Sequence, residues 1–218
     1  MTGKIKLVHS GGNSVSIAVP TSNPSASEVE FKLPQADGSA NQVLKTDGSG
    51  NLSFAADQGG KILQVVSTTK TDTASQASVA AGAQWSITAF KATITPSSAS
   101  NKLLIFGIAS FDTGNYSQAL YLQKDGSDLA AAMGDAAGSR KSTVSQILDA
   151  DGGAYQQVQH SFQFLDTAGN TSERYYNLAI GHGRNAAVNI FMNRSSTDQD
   201  IYYQFRTQST ITVMEIAA

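Results

Sequence analysis

The residues able to do acid–base or metal chemistry in this 218-residue chain are few and scattered: three histidines (His9, His160, His182), no cysteine, and acidic pairs at Asp125/Asp128, Asp149/Asp151 and Asp198/Asp200. The histidines fit none of the H-x-E, H-x₃-H or H-E-x-x-H spacings that bring ligands to one zinc ion. A lone His160 or His182 would become a metal site only where a three-fold axis gathered its copies; a hydrogen-bonded or exposed imidazole is the stronger reading. Paired carboxylates are the apparatus of glycoside hydrolysis. Here each pair sits beside Gly, Ser or Thr, where Asp serves to cap and turn the backbone, and no apolar pocket motif raises a carboxyl pKa. Asp149-Ala150-Asp151-Gly152-Gly153 lacks the rest of a D-x-D-x-D-G-x₅-E calcium loop. There is no G-x-S-x-G nucleophile turn, and no helical pattern follows Gly181-His182-Gly183-Arg184, so it reads as a turn rather than a phosphate loop. The absence of thiols removes disulfides and thiolate sites. These patterns predict a chain that is not an enzyme and holds no cofactor or metal.

Recognition chemistry is better supplied. Four polar, turn-rich stretches, 112–118 (DTGNYSQ), 133–140 (MGDAAGSR), 149–155 (DADGGAY) and 194–200 (RSSTDQD), offer amides, carboxylates, guanidinium groups and phenols. Such groups hydrogen-bond sugar hydroxyls and stack on sugar rings, and loops at the ends of a sandwich carry function without disturbing the core. The candidate receptor contacts are Asn115, Tyr116, Gln118, Arg140, Asp149, Asp151, Tyr155, Arg194 and Asp198. Trp85, Tyr175, Tyr176, Phe191, Tyr202, Tyr203 and Phe205 fall in expected strands, where adjacent rings face opposite sides; core and subunit-interface roles fit them better than sugar stacking.

The elements that must position these residues are strands. Apolar residues make up 40% and charged residues 15%, with 19 glycines, which argues against a helical bundle, a coiled coil or a large α/β enzyme. In residues 1–60, Val15/Ile17/Val19 and Val29/Phe31/Leu33 alternate as half-buried strands do. The Asp37-Gly38 and Asp47-Gly48 pairs suit tight turns with positive φ. So few apolar groups cannot offset a backbone ordering cost of ~1–2 kcal/mol per residue, so this segment needs partners, most simply copies of itself. Gly59-Gly60 marks a boundary. Beyond it, strands are expected at Ile62–Val66, Gln84–Thr95 (a pair or one bent strand), Lys102–Phe111 (central), Ala119–Gln123, Arg140–Leu148, Gln156–Leu165, Glu173–Gly181, Ala187–Asn193, Ile201–Arg206 and Thr210–Ile216, with a loop or edge over Ser67–Ser78. Asp128–Ala137 is a candidate short helix. The fold class is therefore all-β: a small β-rich segment over 1–60, for trimerisation or attachment, then an antiparallel, jelly-roll-like β-sandwich head over 61–218.

The formal net charge of -2 provides no basic footprint for nucleic acid. No apolar run approaches the ~18 residues of a membrane span, and MTGKIKLVHSGG lacks the apolar centre of a signal peptide. The expectation is synthesis in a cytoplasm without membrane insertion. Only Ala217 and Ala218 follow the last strand, which predicts that the head forms a distal tip.

The run from Phe31 to Phe54, FKLPQADGSANQVLKTDGSGNLSF, resembles a linker element of bacteriophage tail-fibre proteins: Leu-Pro, a turn, Asn-Gln-Val-Leu, Thr-Asp-Gly-Ser-Gly-Asn-Leu, then an aromatic. Asn41 stands where Gly is frequent, and Phe54 where Trp is frequent. Ala92–Ile105 (ATITPSSASNKLLI), Phe164-Leu165-Asp166 with Asn170-Thr171-Ser172 and Tyr175-Tyr176, and Ile211–Ile216 (ITVMEI) are similar to stretches of the C-terminal domains of the same proteins, in the same order. The resemblance implies a virion protein assembled in the host cytoplasm as a β-rich homotrimer. It would join adaptor, tail or capsid proteins through residues 1–60 and meet a cell-surface glycan or protein with its head. A capsid or neck decoration is the alternative reading, and a capsule-depolymerising tailspike the weaker one.

Overall fold

The computed structural model describes residues 4–18, 20–22, 24, 26, 28–57, 61–114, 116–148 and 156–218. Its contacts divide the chain into two compact units, Met1–Gly59 and Gly60–Ala218. All strand pairings in both are antiparallel.

The described residues of the first unit form two hairpins. Strands β1 (Lys4–Val8) and β2 (Ser14–Ala18) pair in the register Lys4↔Ala18 to Val8↔Ser14. Strands β3 (Gln42–Thr46) and β4 (Leu52–Ala56) flank the Asp47-Gly48-Ser49-Gly50-Asn51 turn. The chemistry of that turn explains its composition. The Asp47 carboxylate accepts from the Ser49 amide (2.8 Å), the Asn51 amide (3.1 Å) and Asn51 Nδ2 (2.6 Å), and Thr46 Oγ1 accepts from the Gly48 amide (3.1 Å). Gly48 and Gly50 have φ of 81° and 88°, which glycine adopts without strain. A Cβ at Gly50 would also lie 2.6 Å from the Glu30 carbonyl.

Two expectations for this unit are corrected. Val29, Phe31 and Leu33 form no strand; Lys32 alone makes a parallel bridge to Asn51, giving its amide to Gly50 O and accepting from Leu52 N, both at 2.8 Å. Gly38 does not have a positive φ; the Phe54 ring lies so close that a Cβ there would sit 2.6 Å from Cγ. No described residue of this unit is buried. Among its described residues nine large apolar side chains are exposed: Ile5, Leu7, Val8, Ile17, Val29, Phe31, Leu33, Leu44 and Phe54.

The second unit is a β-sandwich. Its strands are β5 (Ile62–Lys70), β6 (Ala74–Val79), β7 (Gln84–Ile94), β8 (Lys102–Asp112), β9 (Gln118–Lys124), β10 (Ser127–Asp128), β11 (Ser145–Ile147), β12 (Val158–Thr167), β13 (Arg174–His182), β14 (Val188–Met192) and β15 (Ser209–Ile216). One sheet runs β10-β9-β13-β7, with β11 also on β9; the other runs β5-β15-β8-β14-β6, with β12 also on β8. As its apolar run predicts, β8 is central, with Leu103, Ile105, Ala109 and Phe111 buried against Leu120, Leu122, Tyr176, Leu178 and Ile180 of the facing sheet. The pairing register of β7 on β13 breaks between Ser86 and Lys91, making one irregular strand from which Ile87 and Phe90 both enter the core.

β15 places Ile211, Val213 and Glu215 inward, all fully buried. Glu215 is satisfied by Gln64 Nε2 (2.5 Å), the Ser97 amide (2.7 Å) and hydroxyl (2.8 Å), and Asn101 Nδ2 (2.6 Å). Burial pushes its carboxyl up, but these donors overcome that and bring it down to about 2.

Other expectations differ from the structure. Ser67–Ser78 is mostly strand, because β5 continues to Lys70 and β6 begins at Ala74, both in terminal positions of the sheet order. Only Ser145–Ile147 of Arg140–Leu148 is a strand. Ile201–Arg206 is irregular, which leaves Tyr202, Tyr203 and Phe205 exposed on a loop. The alanines after Asp128 make a single 3₁₀ turn, Ala130–Ala132. Tyr176 is buried and Tyr175 half-buried, as expected for adjacent strand residues.

Candidate functional site

Of the candidate contacts, Asn115, Asp149, Asp151 and Tyr155 lie outside the described residues. Gln118 is corrected. It begins β9 with its side chain fully buried, donating to the Phe111 carbonyl (3.3 Å), with Oε1 3.3 Å from His160 Nε2, so it cannot meet a receptor. Asp198 accepts two bonds from Arg206 (3.0 and 2.8 Å), and Arg194 lies 3.8 Å from it and over the Phe191 ring. These two residues tie one loop together. Tyr116 and Arg140 converge instead on a groove, Tyr116 through Arg184, whose guanidinium stacks 4.6 Å from the Tyr116 ring centroid.

The groove follows from the pattern of the β9–β13 sheet. Inward positions carry Leu120, Leu122, Leu178 and Ile180, whereas the outward positions around Tyr121 are small: Ala119, Ala179 and Gly181, cross-paired as Ala119↔Gly181 and Tyr121↔Ala179. Over this face runs the 129–144 segment, fixed to β9 at both ends by Leu129 N to Leu122 O (2.9 Å) and Val144 N to Leu120 O (2.8 Å). It is pinned midway by the Lys141 ammonium on the Gly82 carbonyl. Small residues beneath a tethered flap leave space. Two adjoining hollows of about 590 and 520 Å³ share Gly82, Tyr121, Arg140 and Lys141. The first adds Gln84 and Asp128, and the second adds Ser117, Asp135, Gln146, His182 and Arg184. Gly183 closes the second hollow because a side chain there would collide with Ser117 Oγ, and its amide donates to Ser117 O (3.0 Å).

The charge of the second hollow is opposite to that of the chain. Arg140, Lys141 and Arg184 face one carboxylate, Asp135, and none of the three forms an ion pair among the described residues. Tyr121 is only 6% exposed, and its hydroxyl has no hydrogen bond among the described residues. Burial, then the Asp128 carboxylate, raises its phenol above the ordinary value. His182 Nε2 lies 2.9 Å from the Val79 carbonyl. His160 is a core residue: Ser145 Oγ lies 2.8 Å from Nδ1, and burial holds the imidazole down at about 4. Among the described residues no three His, Asp or Glu side chains gather as metal ligands would. Sequence reasoning missed Tyr121, Lys141 and Arg184; the signal available was the alternation of large inward and small outward residues along two neighbouring strands.

No protein-family model matches the chain, and no curated protein matches it either. Among solved structures, the infectious bursal disease virus Gx strain matches with a TM-score of 0.33 at 14% identity, over 94% of this chain and 47% of that one. The VP2 subviral particle of infectious bursal disease virus matches with a TM-score of 0.34 at 15% identity, over 95% and 48%. The chain thus spans about half the length of the structures it matches. A likeness this weak carries no inference about function.

Proposed function

We propose that the chain is a virion structural protein, a short homotrimeric tail fibre of a bacteriophage, whose β-sandwich head contacts the host surface. The observation that carries the reading is the first unit: hairpins with no buried described residue and nine large apolar side chains in water. A surface of that kind is an interface, and a repeated copy supplies matching apolar strands without any further protein. The head carries a second such surface. On the outer face of its larger sheet, Val65, Met214, Leu104 and Leu165 stand in one cross-strand row, with Val65 and Leu165 about half exposed. The resemblance of residues 31–54 to tail-fibre linkers supports the virion setting, with attachment to other virion proteins through residues 1–60. The protein works by contact rather than turnover: several weak contacts, one set per copy, add through effective concentration.

Native mass spectrometry tests the assembly and should give three times 22.8 kDa. Adsorption tests the role: particles whose copy lacks residues 61–218 should fail to bind cells. Normal adsorption by those particles would overturn the adhesive reading in favour of a decoration, and a cooperatively melting monomer with ordered hairpins would overturn the trimer.

A further inference from the structure

The hollow between β9 and the 129–144 flap combines features that a solvated turn does not need. Tyr121, only 6% exposed as a residue, lines both hollows, and its hydroxyl, which no described residue bonds, is open to a ligand there. Three cations without carboxylate partners converge on a chain whose formal charge is -2. The remaining lining supplies neutral donors and acceptors, Ser117, Thr143, Gln146 and Asn185, spaced around about 520 Å³. Arg184 is held in place by its stacking on Tyr116, so less side-chain freedom is lost when it takes a ligand.

We propose that this groove binds an anionic saccharide, a sugar carrying a carboxylate or phosphate group, with Arg140, Lys141 and Arg184 taking the charge and Tyr121 and Gln146 taking ring hydroxyls. Guanidinium groups match carboxylate and phosphate oxygens in pairs. The hydroxyl-rich remainder of a sugar satisfies the phenol and the amides, which a bare inorganic anion does not. The proposal rests on the adhesive reading for its biological setting, and the chemistry is argued from the groove itself. In the companion hollow the Asp128 carboxylate is held by Gln84 and Gln123 at 2.8 Å each, a charge that disfavours an acid group beside it.

Isothermal titration of the full-length protein tests this with trigalacturonate, mannose 6-phosphate and the neutral maltotriose as probes. Binding of either anionic sugar but not of maltotriose is expected. Galacturonate alone or phosphate alone would identify which acid group the site takes. Arg184→Gln and Arg140→Gln should each weaken binding about tenfold, and raising the salt from 0.1 M to 0.5 M should weaken it further. Tyr121→Phe separates a binding role from a structural one: the site predicts roughly fivefold weaker binding with an unchanged melting temperature, because no described residue bonds the deleted hydroxyl. Equal binding of neutral and anionic sugars, no binding of either, or binding undiminished in the Arg140→Gln/Arg184→Gln double variant would each overturn the proposal. None of these results bears on the trimer mass or on adsorption by particles lacking the head, so failure of this site stays distinct from failure of the adhesive reading.

Discussion

In the first unit the backbone is held by turn hydrogen bonds and no described side chain is buried, whereas in the second a continuous core joins two sheets around β8. Both units are antiparallel β-structure, so the difference lies in what happens to the side chains. A hairpin ordered by Asp47 and Thr46 has a defined shape but little stability of its own, since an isolated two-stranded hairpin is marginal in water. The sandwich buries Phe90, Phe111, Leu103, Leu122 and Tyr176 in a core of its own. Under the proposed assembly the first unit would take its stability from neighbouring copies and the second from its own core, and each prediction below bears on one side of that comparison.

The largest effect belongs to the core. Phe111→Ala should destabilise the head by about 3–5 kcal/mol, read from Trp85, the single tryptophan, which lies half-buried in β7 and so reports on the head alone. Next comes Glu215→Ala, which strands the donors of Gln64, Ser97 and Asn101 in a buried site and should cost about 3 kcal/mol. Chemical denaturation checks both.

Acid should affect the units in different pH ranges. His160 titrates near 4 when folded and near 6.5 when unfolded. The unfolded chain therefore takes up the proton first, and head stability falls as pH drops from about 6.5 to about 4. Glu215, at about 2 folded against 4.5 unfolded, extends the loss as pH falls from 4.5 toward 2. In the first unit, hydrogen bonds from the Asn51 side chain and then the Ser49 amide hold Asp47 below 3.8, so its contribution persists down to that pH and is lost only beneath it. Fluorescence of Trp85 against amide exchange of β3–β4 across pH 2–7 would separate the two. A hairpin that loosens together with the head near pH 6 would contradict the assignment.

The smallest effect is local. Gly50→Ala forces a Cβ into positive φ and against Glu30 O and should weaken the β3–β4 hairpin by roughly 1–2 kcal/mol, leaving the Trp85 transition unmoved.

What could be read from sequence divides along physical lines. Local rules found the β3–β4 turn, because Asp-Gly chemistry acts within five residues, and the central strand KLLIFGIASF, because it is apolar on both faces, with Leu103, Ile105 and Phe111 buried and Leu104, Phe106 and Ile108 half-buried. They failed at Val29/Phe31/Leu33, where alternation is present but no partner strand is, and at Ile201–Arg206, where aromatic residues with β propensity sit on a loop. They overstated Gly38, where proximity to the Phe54 ring rather than φ selects glycine. The candidate site was half legible. Tyr116 and Arg140 are polar loop residues, but Tyr121 looks like any strand tyrosine until its cross-strand neighbours prove to be small. Gln118 looked available because it ends a polar loop, yet the first residue of β9 faces inward. The Glu215 cluster joins positions more than a hundred residues apart, a distance over which spacing says nothing.

Hydrogen exchange followed by mass spectrometry, on the full-length protein at high and at limiting concentration, tests most directly whether the first unit is ordered by its copies. Protection over β1–β4 should be high in the trimer and disappear on dilution to the 22.8 kDa chain, while β7–β9, β12, β13 and β15 stay protected in both. Protection of β1–β4 that persists in the monomer would contradict the account.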